Sequence, residues 1–126
     1  MPARWSPRWC RVIEQQIAQA LLMAGDLLTI DDLRALAMAG RVQWWGDERA
    51  AVATEVMAYP RRRILNLFLA AGELGEILAL QKQLDDFAQA EGCTHMAAHG
   101  RPAWGLVGRK LGWLPHSIQF VREVPT

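Results

Sequence analysis

Ala50-Ala51-Val52-Ala53-Thr54-Glu55-Val56-Met57-Ala58 runs into the turn Tyr59-Pro60-Arg61, and Arg62–Ala70 runs out of it. Ala71-Gly72-Glu73-Leu74-Gly75 and a helical stretch to Glu91 follow directly. The first arm has the β-branched content of a strand, and Ile64-Leu65-Asn66-Leu67-Phe68-Leu69 reads as a strong one. That second run is almost continuously apolar, as expected of a central strand covered on both faces. Behind the glycines, Leu74, Ile77, Leu78, Leu80, Leu84, Phe87 and Ala88 recur as the apolar stripe of an amphipathic helix. Gly92 terminates it. The stretch therefore reads as a hairpin, a glycine-marked turn and a helix.

Working outward from there, Arg41–Trp45 reads as a short strand ending in the polar turn Gly46-Asp47-Glu48. Two helices precede it. The first starts at Pro7 after Ser6, carries Val12, Ile13, Ile17, Ala20, Leu21 and Ala24 on one face, and stops at Gly25. The second, Ile30–Ala39, is headed by Thr29, with Asp31 and Asp32 in its first turn. Its acidic start and single Arg34 argue against a DNA-reading helix pair. On the other side, Thr94–His99 reads as a strand. Gly100-Arg101-Pro102 opens a helix to about Leu111, and Ser117–Val124 reads as a final strand. The expected layout is one domain over 1–126: helices in 1–40, antiparallel strands in 41–70, and helix, strand, helix, strand in 71–126. A mixed central α/β sheet with helices on both faces follows from it.

The chain of 126 residues is long enough for one proper core, and 52% apolar with 21% charged residues is the composition of a folded protein. A net charge of +1 gives no global attraction to nucleic acid or anionic lipid. No apolar run approaches a membrane span of about 20 residues, and Glu14, Gln15 and Gln16 interrupt any signal-like segment. A cytoplasmic or virion location is the expectation. Cys10 and Cys93 have no metal-ligand spacing and read as small buried hydrophobes. His95, His99 and His116 form no metal set, so no metal site is expected. Of the 6 tryptophans, Trp5 and Trp9, one helical turn apart beside Arg4, Arg8 and Arg11, are the candidates for a contact surface. Arg61-Arg62-Arg63 is the densest basic cluster, able to meet a phosphate or an acidic partner.

The order helix, helix, three antiparallel strands, helix, strand, helix, strand resembles the Gcn5-related N-acetyltransferase (GNAT) fold without its usual first strand. The helix ending Arg109-Lys110-Leu111-Gly112-Trp113-Leu114 is similar to one common in that family. Tyr59-Pro60-Arg61-Arg62-Arg63 before an apolar strand, with Gly72 after it, resembles small GNAT-like proteins of tailed bacteriophages. The resemblance implies a gap between Ile64–Leu69 and Thr94–His99 that takes acetyl-coenzyme A. Its diphosphate would lie on backbone N–H groups of Gly72, Leu74 and Gly75, where free donors and the helix dipole favour an anion.

Glu73 stands at that turn where the family places a basic residue. A carboxylate on those N–H groups would oppose the diphosphate by about 1 kcal/mol or more. Glu55 is the candidate base, with Arg62 or Arg63 as its alternative cross-strand ion-pair partner. His99 is a second candidate base. Tyr59, the only tyrosine, lies in the hairpin turn rather than beside the gap. These departures lead to the expectation of a non-catalytic, GNAT-like structural or assembly protein of phage or prophage origin. It would bind other proteins, virion components or itself, through Trp5, Trp9, Arg61, Arg62 and Arg63, and use no cofactor. The alternatives are an acetyl-CoA-dependent N-acetyltransferase and, more weakly, a DNA-contacting accessory protein using the arginine cluster.

Overall fold

A computed structural model describes residues 7–23, 27–99, 105–116 and 120–125. Two helices come first, α1 (Pro7–Met23) and α2 (Ile30–Met38), then strands β1 (Gln43–Gly46), β2 (Ala50–Ala58) and β3 (Arg63–Gly72). Helices α3 (Leu74–Leu78) and α4 (Gln81–Ala90), strand β4 (His95–Ala98) and helix α5 (Gly105–Lys110) follow. The sheet order is β1-β2-β3-β4. β1, β2 and β3 are antiparallel neighbours, and β4 runs parallel to β3. A parallel neighbour requires a crossover, which α3 and α4 supply. The architecture is the mixed α/β sheet with helices on both faces that the element order implies.

Each face carries its own apolar layer. Ile13, Ile17 and Leu21 of α1 and Leu33 of α2 pack on Trp44, Ala51, Ala53, Leu69 and Ala71. Opposite them, Leu80, Leu84 and Ala88 pack on Trp45, Val52, Leu65 and Leu67. Trp44 and Trp45, adjacent in β1, anchor the two layers separately, as strand alternation demands. The Trp45 indole N–H donates to Thr54 Oγ1 at 3.0 Å, and the Thr54 hydroxyl donates onward to Gln43 Oε1 at 2.9 Å. The Phe87 ring meets Trp45 edge-on at 5.2 Å.

Several elements differ from the sequence reading. α1 is broken at Ile13, whose φ of −113° and ψ of 15° leave the helical region while its side chain stays buried. Its expected stop at Gly25 lies outside the described residues. β3 extends through Gly72, past the expected end at Ala70, because Ala71 and Gly72 pair with Ala51 and Ala50. The single helix expected up to Glu91 is two. Leu80 N–H bonds Ile77 O at 3.1 Å, a tightened turn that points Leu80 at the sheet in phase with Leu84 and Ala88. The final strand, Ser117–Val124, does not form over its described part. Residues 120–125 are exposed and join no ladder, and β-propensity makes no strand without a neighbour to pair with.

Candidate functional site

β3 and β4 pair from Ile64↔His95 to Leu67↔Ala98, closed at either end by Thr94 N–H to Arg63 O (2.8 Å) and His99 N–H to Leu67 O (3.3 Å). Past Leu67 the pairing stops. Among the described residues, Phe68–Gly72 has a strand neighbour only on its β2 side. The break coincides with a β-bulge. Ala53 pairs with Leu69 and Thr54 with Leu67, so Phe68 is the extra residue of β3. A bulge adds twist and inverts the facing of every residue beyond it. Leu65 and Leu67 accordingly face α4, whereas Leu69 and Ala71 face α1. Among the described residues, the edge of β3 from Phe68 to Gly72 on the β4 side has no paired neighbour.

At the far end of that edge, Gly72 has φ +104°, and a Cβ there would lie 2.2 Å from Arg49 O. Only glycine fits. Glu73 is the extended N-cap of α3, its N–H committed to Arg49 O at 3.2 Å. Its side chain is exposed and makes no capping hydrogen bond. The carboxylate expected to fill this anion site therefore leaves the first N–H groups of α3 uncapped. Beside them Gly75 keeps the approach open, with nothing within 4 Å of where a Cβ would stand. A cation from elsewhere in the chain stands beside α3. The Arg49 guanidinium, 71% exposed, lies 3.4 Å from Glu76 Oε1 in the first turn of α3. An exposed ion pair of this kind is worth about 0–1 kcal/mol and can exchange its anion. Nothing in Asp47-Glu48-Arg49 signals the placement, because only the β2–β3 register creates it.

Glu55 pairs in register with Asn66, and Asn66 Nδ2 donates to Glu55 Oε1 at 3.2 Å. The expected ion pair with Arg62 or Arg63 does not form. Arg63 instead reaches the C-terminus of α4, donating Nε–H to Glu91 O at 2.7 Å with its carboxylate at 3.7 Å. Asn66 is 9% exposed, and its Oδ1 is buried without a hydrogen-bond partner. An unpaired buried acceptor costs about 1–3 kcal/mol. Sequence reasoning passed over this residue, although it is the one polar position in the run Ile64–Ala71.

The other candidates are dispersed. Arg61, Arg62 and Tyr59 rim a shallow, open depression at the hairpin tip, the end of β3 opposite Gly72. His99 is exposed just beyond β4. Trp5 lies outside the described residues, and of Trp9 only its backbone position in α1 is described. Cys93 is half-buried in the α4 layer, and burial raises its thiol pKa against the opposing pull of Arg63. Among the described residues, no three potential ligands gather for a metal, and no helix is long and apolar enough to cross a membrane.

No protein-family model and no curated protein matches this sequence. Solved structures do match it. A Trypanosoma brucei acetyltransferase aligns over 88% of this chain and 94% of its own, at 15% identity and a TM-score of 0.62. A GCN5-related N-acetyltransferase from Ralstonia eutropha aligns over 93% and 90%, at 18% identity and a TM-score of 0.64. The fold is that of the Gcn5-related N-acetyltransferases. A glucosamine-6-phosphate N-acetyltransferase from Arabidopsis thaliana shares a smaller part, 61% of this chain and 58% of its own, at 15% identity and a TM-score of 0.50. Identities this low carry the GNAT architecture and leave the chemistry to the residues themselves.

Proposed function

We propose that this chain is an acetyl-CoA-dependent N-acetyltransferase. The observation that carries the reading is the strand edge Phe68–Gly72, which beyond the bulge has no described strand neighbour on its β4 side and ends at a helix start that Glu73 does not cap. When bound there, acetyl-CoA supplies an acetyl group activated as a thioester. The N–H groups of Leu74 and Gly75 would hold its diphosphate, with Gly72 and Gly75 permitting close approach. Arg49 would exchange Glu76 for a phosphate oxygen, a stronger and charge-assisted contact. The free N–H and C=O groups of Phe68–Ala71 can hydrogen-bond an amide chain laid along them. Glu55 accepts a proton from the incoming ammonium. The neutral nitrogen so formed would be the group that receives the acetyl, with the coenzyme leaving as its thiol. Tyr59, at the far tip, takes no part.

The reading of an inert phage assembly scaffold rested on Glu73 occupying the anion site. With that carboxylate exposed and off the N–H groups, the acetyltransferase reading has the better support. Calorimetric titration with acetyl-CoA tests it. Binding in the range of about 1 μM to 1 mM is expected. Arg49→Ala should weaken it by roughly 10-fold with folding unimpaired, the loss of one hydrogen bond to a charged group. Absence of heat to about 1 mM ends the reading.

A further inference from the structure

Arg61, Arg62 and Arg63 run consecutively through the β2–β3 turn, and all three are exposed. Arg63 is committed, donating to Glu91 O at 2.7 Å with the Glu91 carboxylate at 3.7 Å. Arg61 and Arg62 have no acid partner among the described residues. The exposed acids Asp47 and Glu73 stand at the other end of the β2–β3 ladder, beside Ala50 and Gly72. The two arginines line the open depression at the tip together with Tyr59, Pro60 and Ile64. Its surface is apolar, so the arginines lend it their aliphatic stems and keep their charged heads for solvent or a ligand. Tyr59 is 52% exposed. Tyrosine and arginine set around an apolar floor is the composition of an interface centre. The tip is also stiff. Pro60 fixes φ, and the Tyr59 N–H donates to Arg62 O at 2.8 Å, so little order has to be gained on binding.

A shallow depression on a projecting turn does not enclose a small molecule, which needs most of its surface covered. It can receive a chain laid across it. Two guanidinium forks beside an apolar patch match a segment in which carboxylates flank an apolar side chain. A nucleic acid needs a longer basic track, and a net charge of +1 supplies none. We propose that the hairpin tip docks an acidic peptide segment of a partner protein, its carboxylates on Arg61 and Arg62 and an apolar side chain against Tyr59 and Ile64. The surface lies at the end of β3 opposite Gly72, so the inference stands independently of the acetyltransferase reading.

The probe is the capped peptide Glu-Asp-Leu-Asp-Glu, titrated into isotope-labelled protein and followed by amide NMR. Saturable shifts centred on residues 59–64 are expected, with a Kd of about 1 mM or below at low salt. Arg61→Ala and Arg62→Ala should each weaken binding by about 10-fold, the loss of one hydrogen bond to a charged group. Their melting temperatures should stay as in wild type, because both side chains are exposed. Replacing the central leucine of the peptide by glycine should cost about 10-fold as well, from the lost apolar burial. Affinity should fall several-fold as salt rises from about 0.05 M to about 0.5 M. Equal binding of the uncharged Gln-Asn-Leu-Asn-Gln peptide would overturn the inference, and so would saturable shifts centred elsewhere. Tighter binding of single-stranded oligothymidylate at the same salt would make the arginines a nucleic-acid contact instead. Displacement of the peptide by acetyl-CoA would place it at the other end of β3 and reject the docking site. No shift up to about 10 mM peptide rejects it too.

Discussion

Gly72 and Gly75 look alike in the sequence, three positions apart in one turn, yet the structure uses them for different ends. Gly72 is a requirement of the backbone. A side chain there meets positive φ and the Arg49 carbonyl together. Gly72→Ala should cost about 1–3 kcal/mol from conformation alone, read as a lower urea midpoint. Gly75 faces open space at the head of α3, where alanine is a better helix former. Gly75→Ala should leave stability within about 0.5 kcal/mol of wild type and weaken acetyl-CoA, since only the approach to the N–H groups is narrowed. Equal stability losses in the two variants would contradict this division. Arg49 and Asn66 belong to the same scale: each acquires its role from what stands across the ladder from it.

Among the elements, β3 sets the site because it changes facing midway. Ahead of Phe68 it is bonded to two neighbours and, among the described residues, behind it to one. α2 shows the opposite case, an element explained locally. Thr29 and Asp32 close a reciprocal capping box, Asp32 N–H to Thr29 Oγ1 at 3.1 Å and Thr29 N–H to Asp32 Oδ2 at 3.0 Å. The Thr29 N–H, then its hydroxyl contact, hold the Asp32 carboxyl below its ordinary pKa. A depressed folded-state value means stability that is present above the unfolded pKa of about 4 and lost as the pH falls through the lower folded value. Thermal melts of wild type and Asp32→Asn should differ most above about pH 5 and converge below about pH 4. A gap that widens in acid would mean the carboxylate does not cap α2.

For the molecule as a whole, the apolar segment near the C-terminus is the outstanding mismatch between composition and placement. Phe120 is 89% exposed, and Val121 and Val124 are exposed with it. In the monomer described here these side chains support no core, so Phe120→Ser should shift stability by less than about 0.5 kcal/mol. A drop of several degrees in melting temperature would show that the segment packs in solution, on this sheet or on a second copy.

The apolar periods, the hairpin at Tyr59-Pro60-Arg61 and the capped start of α2 depend on residues close in sequence. For that reason the GNAT-like architecture and the element order as far as β4 were legible without coordinates, apart from the division of the helix after Gly72 into α3 and α4. Gly72, Leu74, Gly75 and Glu55, on which the proposed function draws, are named from the sequence, whereas the Asn66 contact of Glu55 and the uncapped placement of Glu73 come from the structure. The Phe68 bulge was hidden because Leu65-Leu67 and Leu69-Ala71 are equally apolar, and facing parity leaves no mark in a run without polar alternation. Only the tertiary structure could bring Arg49 to α3 and Asn66 to Glu55. Those placements depend on register between distant segments, and register is decided by how two sheet faces bury their side chains, not by any short stretch of chain.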